Sequence, residues 1–191
     1  MDARALSILL DMSNNTLDNY ILPGLSSHLV GGGGYGKVRL FEASRRQQSG
    51  VTPHSHRFDF TCLVLRGSVV NTIWTPDSQG DEFFMQYLEY QGQAGEYQKR
   101  EYIQGVDKPG YTHWTGDSIQ YAEGQWYSRS SEEIHSTEFS RDALVLFFEG
   151  PERSKVTKIL EPIAGTAVIP TLKVEPWMFV KRESNWSDER V

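Results

Sequence analysis

The sequence predicts an all-β fold of the sandwich or jelly-roll class, preceded by a short helical segment. Three observations carry that expectation. Seventeen glycines and eight prolines are spread through 191 residues, punctuating short runs rich in aromatic and β-branched side chains, as many short strands joined by tight turns require. The run after His56 alternates, so that Phe58, Phe60, Cys62 and Val64 share one face while Ser55, Arg57, Asp59, Thr61, Leu63 and Leu65 share the other, and period two is the signature of a strand. The strongest apolar run, Ala143-Leu144-Val145-Leu146-Phe147-Phe148, stops at Gly150-Pro151, the length and ending of a buried strand.

Residues 3–20 place Ala3, Leu6, Leu9, Leu10, Leu17 and Tyr20 at helical spacing, with a break expected at Asn14-Asn15 and an end at Leu22-Pro23-Gly24. The chain therefore divides into a helical segment within 1–30, packed on a β-barrel over 31–191 that carries a C-terminal extension. The run Gly31-Gly32-Gly33-Gly34-Tyr35-Gly36 reads as a flexible lead-in to an alternating strand, Lys37 to Glu42. It matches the glycine-loop pattern of protein kinases, but V-A-I-K, H-R-D and D-F-G are all missing, so the pattern carries no phosphate chemistry. Further strands are expected near 58–74, 82–90, 96–104, 117–123 and 143–149. Thr75 to Asp81 has the composition of a surface loop. The segments 82–90 and 97–102 suit an additional hairpin turning at Gly92 to Gly95. Residues 154–191, interrupted by Pro162, Pro170 and Pro176, are expected to wrap the barrel and to fray from Glu183.

Composition narrows the function. Hydrophobic residues make up 38% and aromatics 12% of the chain, enough for one core and one domain. The net charge of −6 and pI near 5.4, with no basic stripe, exclude a nucleic-acid footprint. The single cysteine, Cys62, excludes an intrachain disulfide and fits a reducing compartment. No apolar stretch reaches the roughly 20 residues that span a bilayer, and the N-terminus lacks the basic start and apolar core of a secretory signal. A soluble cytoplasmic protein without a membrane partner is the expectation. Leu63 and Leu65 on the outward face, together with Phe83-Phe84-Met85, exceed what one sheet hides, and a homodimer is expected.

The chemistry begins at His54 and His56. Two imidazoles one residue apart project from the same side of an extended segment, and neutral imidazole is the commonest nitrogen ligand for Zn, Fe, Cu and Ni. Two donors on one rigid segment supply half of a metal site. Below them Phe58, Phe60 and Cys62 form an aromatic and sulfur floor suited to an apolar substrate. Cys62 itself reads as packing, the common fate of a free buried cysteine. Trp126 and Tyr127 are candidates for a stacking wall beside a ring-shaped substrate. His113 reads as a loop histidine, and His28 carries no signal. No Ser-His-Asp order, CxxC, nucleophile elbow or P-loop occurs, so no catalytic residue is identified.

The segment from His54 to Gly67 resembles the first motif of the cupin superfamily, G-x5-H-x-H-x3,4-E-x6-G. His54, His56 and Gly67 fall at the family spacing, Phe60 stands at the glutamate position and Gln48 at the leading glycine. The second motif, G-x5-P-x-G-x2-H-x3-N, is matched by Gly124 and His135, with Ser130, Glu132 and Phe139 at its other fixed positions. The resemblance covers roughly residues 36–150 and implies a double-stranded β-helix barrel. It also implies His135 as the third metal ligand, in a three-histidine variant that has lost the glutamate. Asp59 is the candidate fourth ligand, if a bulge swings its carboxylate inward. Glu132 and Glu133 read as solvated groups beside the site. Such a site implies a divalent metal, Fe(II) favoured over Zn, Ni or Mn, and a (di)oxygenase acting on a small organic molecule. The alternative is a non-catalytic metal- or ligand-binding barrel with a regulatory or structural role.

Overall fold

The computed structural model describes residues 15–18, 24–33, 36–44, 52–91, 97–100 and 109–163, and every regular element among them is a β-strand. In chain order these are β1 (Asn15–Leu17), β2 (Leu25–Gly33), β3 (Gly36–Ala43), β4 (Phe58–Arg66), β5 (Ser68–Tyr90) and β6 (Tyr97–Arg100). They continue as β7 (Gly110–Ala122), β8 (Trp126–Arg129), β9 (Ile134–Phe139), β10 (Leu144–Glu152) and β11 (Val156–Pro162). One sheet has the order β1-β2-β3-β10-β4-β8. The other is organised around β5, which pairs β7, β9, β11 and β6. All of these pairings are antiparallel. No helix among the described residues is long and apolar enough to cross a membrane.

The alternation read from β4 is the alternation that packs. Phe60, Cys62 and Val64 are buried together with Ala43, Val145, Phe147 and Tyr127 of the same sheet and Val69 and Phe139 of the other, and Phe41 and Phe58 close the cluster. The inward faces of both sheets thus share one core, as two half-buried sheets must. The outer face of the second sheet has its own smaller cluster of Phe83, Ile134 and Leu160, flanked by Trp74, Met85 and Trp114. Phe83 is therefore buried, and it adds nothing to the exposed surface that a dimer would cover.

A sheet change positions the histidines. Residues 52–55 lie between β9 and β11, where His54 bridges both His135 and Ile159. The backbone bonds are His54 N–H to His135 carbonyl at 2.9 Å, the reciprocal His135 N–H to His54 carbonyl at 3.0 Å, and Ser55 N–H to Lys158 carbonyl at 2.9 Å. Three residues later the same chain is β4 of the other sheet, paired to β10 and β8. The return crossing from β10 to β11 lies alongside, since the N–H groups of Arg153 and Ser154 both donate to the Arg57 carbonyl.

Several sequence expectations change. The helical segment expected within 1–30 falls largely outside the described residues, but Asn15–Leu17 and Leu25–Gly33 are strands, because their backbones find partners across a ladder. The glycine run is no flexible lead-in: Gly31, Gly32 and Gly33 pair with Val38, Lys37 and Gly36, making the β2–β3 hairpin. Thr75 to Asp81 interrupts β5 as a wide irregularity between Pro76 and Asp81, and residues 75–79 are exposed as a surface loop would be. Of the additional hairpin, the two strands pair, with Tyr87 opposite Arg100 and Tyr90 opposite Tyr97, while its expected turn at Gly92 to Gly95 lies outside the described residues. Of the C-terminal stretch, Val156–Pro162 adds a strand to the second sheet, while residues 164–191 lie outside the described residues.

Gly36 tests the hairpin. Its φ is +123° and a Cβ would run into the carbonyl of Glu149, so no side chain fits. Gly36→Ala is expected to lower stability by at least about 1–3 kcal/mol from backbone strain alone, read as a fall in the urea midpoint. Gly124→Ala provides the comparison: its φ of +84° carries a like backbone strain, but a Cβ there meets nothing within 4 Å, so its midpoint should fall less.

Candidate metal centre

His54, His56 and His135 converge inside the barrel, each with one ring nitrogen within 4.8 Å of the others. The mutual strand bridge sets His54 beside His135, and two residues further His56 points the same way. The ring centroids stand 4.7, 5.0 and 5.4 Å apart. His56 Nε2 and His135 Nε2 are 2.9 Å apart. Two nitrogens bound at about 2.0–2.1 Å to one metal stand about 2.9–3.4 Å apart for angles between 90° and tetrahedral, so this spacing suits two neighbouring ligands. His54 Nδ1–H donates to the Thr52 carbonyl at 2.7 Å, which leaves the lone pair of its Nε2 available.

The surroundings keep these rings neutral. Burial is the first cause of a lowered His54 pKa, opposed by its bond to Thr52. Burial, then the neighbouring His54 and His135, hold His56 well below its ordinary value. Burial, then His54 and Arg129, do the same to His135. Neutral imidazole is the form that binds a metal. The donor set therefore fits a divalent cation of the Zn or Fe(II) type.

Phe60 stands where a carboxylate ligand would complete the resemblance, and the structure makes it a wall. Its ring lies 4.8 Å from His56, 5.2 Å from His135 and 4.9 Å from Phe147, stacked on the last. Phe58 lies 5.5 Å from His56. The Asp59 carboxylate faces away from the imidazoles. It accepts from the Ser131 N–H at 2.8 Å and from Arg153 Nε at 3.0 Å, and these bonds, led by the one from Ser131, lower its pKa. The register of β4 against β10 shifts between Phe60 and Phe58, where two steps of β4 face three of β10 from Glu149 to Glu152, so the extra residue belongs to β10. The structure does not bring Asp59 together with the three histidines, which converge without it. Asp59 ties the crossing together instead.

The remaining candidates separate. Trp126 is 56% exposed and stacks on Phe148 on the outer side of the barrel, because its strand partner Leu63 faces outward. Tyr127, one residue on, is buried in the core, opposite Cys62 and stacked on Tyr121 at 4.5 Å. Burial pushes the Cys62 thiol up to about 12, so it packs and does not ligate. His113 is exposed on β7 opposite Glu82. His28 sits on β2, 3.0 Å from Thr16 Oγ1. Glu132 is exposed and pairs with Lys158, while Glu133 accepts from the Ser130 N–H. A groove of about 820 Å³ lined by Ser55, Trp74, Trp114 and Lys158 has none of the three histidines in its wall.

Two residues bearing on the site escape a reading by motif: Asn71 and Arg129, both buried. The signal for them lies in alternation, since Asn71 follows Val69, and Arg129 follows Tyr127, at the inward spacing of their strands.

The sequence matches no protein-family model and no curated protein. Among solved structures it is similar to KdgF from Halomonas sp., with a TM-score of 0.38 at 16% identity, covering 69% of this chain and 83% of that one. A cupin superfamily protein from Desulfitobacterium hafniense overlaps with a TM-score of 0.33 at 11% identity, over 78% of this chain and 80% of that one. A hydroquinone 1,2-dioxygenase crystallised with Cd2+ and 4-hydroxybenzonitrile overlaps with a TM-score of 0.34 at 15% identity, over 64% of this chain and 62% of that one. Overlaps of this size carry no argument about chemistry, which rests on the site itself.

Two predictions follow from these groups. Each imidazole held below the ordinary value near 6.5 takes up its proton in the unfolded chain first, so stability falls as pH drops below about 6.5. The slope reaches about 1.4 kcal/mol per pH unit for each histidine that stays neutral in the folded state. Urea midpoints of metal-free protein from pH 7.5 to 5 check this, and a flat profile contradicts it. The Cys62 thiol should resist a disulfide reagent at pH 8 in the native protein and react fully in denaturant.

Proposed function

We propose that the chain is a metal-dependent enzyme of the cupin type, a (di)oxygenase that acts on a small organic substrate at a site formed by His54, His56 and His135. Convergence of three neutral imidazoles on an aromatic wall is the observation that carries this reading. Fe(II) is the favoured metal, with Zn, Ni and Mn as alternatives. When bound, Fe(II) would supply Lewis-acid binding of an anionic substrate oxygen and activation of dioxygen.

The protein's own part is spatial and electrostatic. Three uncharged ligands leave the full charge of a divalent ion in place, which favours an anionic or enolisable oxygen donor. Phe58, Phe60 and Phe147 exclude water from one side of the cluster and lower the local dielectric, which strengthens that attraction. The Thr52 carbonyl fixes the ring of His54. Among the described residues no carboxylate joins the three histidines, and a ligating neutral imidazole has no second lone pair, so a proton released by the substrate would pass to solvent.

The decisive test begins with metal analysis of untagged protein. The Fe(II)-loaded form should bind nitric oxide, seen by electron paramagnetic resonance. His56→Ala should abolish the signal while leaving the far-ultraviolet spectrum unchanged. Failure of the wild-type chain to take up any metal at stoichiometric level removes the oxygenase reading and leaves a non-catalytic binding barrel in its place.

Cytoplasmic residence, with Cys62 kept as a thiol, belongs to the same proposal. So does a homodimer formed through the outward face of the first sheet, where Leu63, Trp126 and Phe148 lie together. Light scattering should give twice the mass of the chain. Trp126→Glu should shift it to the single-chain mass without loss of fold.

A further inference from the structure

Beneath His135 the barrel holds a row of buried polar groups. Asn71 is completely buried on β5, directly opposite Thr137 of β9. Its Nδ2 lies 2.9 Å from His135 Nδ1 and 3.0 Å from Thr137 Oγ1. The two ends of an amide have nearly the same shape, so their partners decide which is which. Here the deciding partner is Arg129. Its Nε–H donates to Asn71 Oδ1 at 2.8 Å, and a guanidinium has five N–H donors and no acceptor. Its other donors go to the Ser128 carbonyl at 2.7 Å and the Tyr121 hydroxyl at 3.0 Å. Turning the amide over would set N–H against N–H inside the barrel, which costs the desolvation of both donors.

The consequence passes to the histidine. If Asn71 donates to His135 Nδ1, that nitrogen carries the lone pair, and the neutral ring keeps its proton on Nε2. That proton then lies between His135 and His56, whose Nε2 is 2.9 Å away. His54 is the reverse case, because a carbonyl only accepts and its Nδ1 must carry the proton.

We infer that Arg129 and Asn71 are positioning residues that hold His135 in the Nε2–H form, and thereby restrain how readily the three-histidine site takes a metal. The second half rests on the metal reading proposed above. Ligation through His135 Nε2 needs a lone pair there, so the proton must move to Nδ1, where the Asn71 N–H at 2.9 Å would face it unless the amide turns its oxygen to the ring; the Thr137 hydroxyl, at 3.4 Å, is the more distant acceptor. Arg129 opposes that turn. An aspartate at position 71 would remove the conflict, because a carboxylate accepts from Arg129 and from the ring together.

The test uses full-length, metal-free protein labelled with 15N in its histidines. Long-range 1H–15N spectra distinguish the two tautomers by which ring nitrogen is protonated. The expected result is Nδ1–H at His54 and Nε2–H at His135 in the wild type, and Nδ1–H at His135 in Asn71→Asp. Arg129→Met, which removes the donors and keeps the length, should move His135 in the same direction. An Nδ1–H form of His135 in the wild type overturns the inference, and that measurement needs no variant to fold. An unchanged Nε2–H form in Asn71→Asp overturns it equally. Titration with Co(II), followed by its visible absorption, should show at least about tenfold tighter binding to Asn71→Asp than to wild type; equal or weaker binding removes the restraint on metal uptake. If no variant takes up Co(II), the metal reading falls by itself, while the tautomer spectra still decide whether Arg129 and Asn71 position His135.

Discussion

The exchange of backbone hydrogen bonds between His54 and His135 is the contact on which the site depends. An extended segment entering the second sheet must satisfy its N–H and C=O groups there before it leaves for the first. His54 does so with His135 in both directions, while Pro53 and Ser55 are tied to Leu160 and Lys158 of β11. Backbone pairing fixes side-chain direction, so the two imidazoles are placed by the ladder. His56 is placed by the next bond, its N–H to the Ser131 carbonyl at 3.2 Å. From Phe58 onward the chain belongs to the other sheet. The three rings therefore sit where the two sheets are stitched together by backbone hydrogen bonds.

That position also explains the absence of a carboxylate at Phe60. The residue lies two positions beyond the crossing, on the inward face of β4, with Phe147 stacked against it. A glutamate there would bring an ionised group into the aromatic core, where only a bound cation could compensate it. Phenylalanine lets the core pack without a bound ion and would leave the full charge of any metal at the three histidines uncompensated by the protein. The same reasoning assigns Asp59 its part. Being outward, it accepts from Ser131 and Arg153 at the rim, and it braces the two crossings whose inner side carries the histidines.

Alternation made the inward face of β4 legible from the sequence, and it was sufficient because the strand is paired on both edges and buried on one side. His54 and His56 were legible from the same period of two, although they precede β4 and are held by His135 and Ser131 at the crossing. Placing His135 beside them required the spacing from Gly124, since nothing in Glu132-Glu133-Ile134-His135 itself distinguishes a buried histidine from one in an acidic turn. The sequence misled where local pattern and tertiary pairing disagree. Asn15–Leu17 lies in a stretch with helical spacing, yet it pairs with β2. The glycines of β2 have weak strand propensity, yet Gly33 and Gly36 are brought opposite each other and Gly36 fits only without a side chain. Trp126 and Tyr127 were both candidates for one wall, yet neighbours in a period-two strand face opposite ways, and Tyr127 is buried while Trp126 is exposed.

Arg129 shows why polar residues in the core are the hardest to read and the most informative once placed. A guanidinium is costly to bury unless its donors are met, and the acceptors given to it are neutral: an amide oxygen, a backbone carbonyl and a phenol. An apolar residue at 129 would pack against Tyr121 and Tyr127 at less cost in desolvation. What the arginine adds is direction. It allows Asn71 only one orientation, and through Asn71 it gives His135 a defined donor and acceptor end. A barrel that needed only a core would have no use for that chain of bonds. One that must hold an imidazole in a fixed state of protonation beside two others does, and the buried charge is then part of the site.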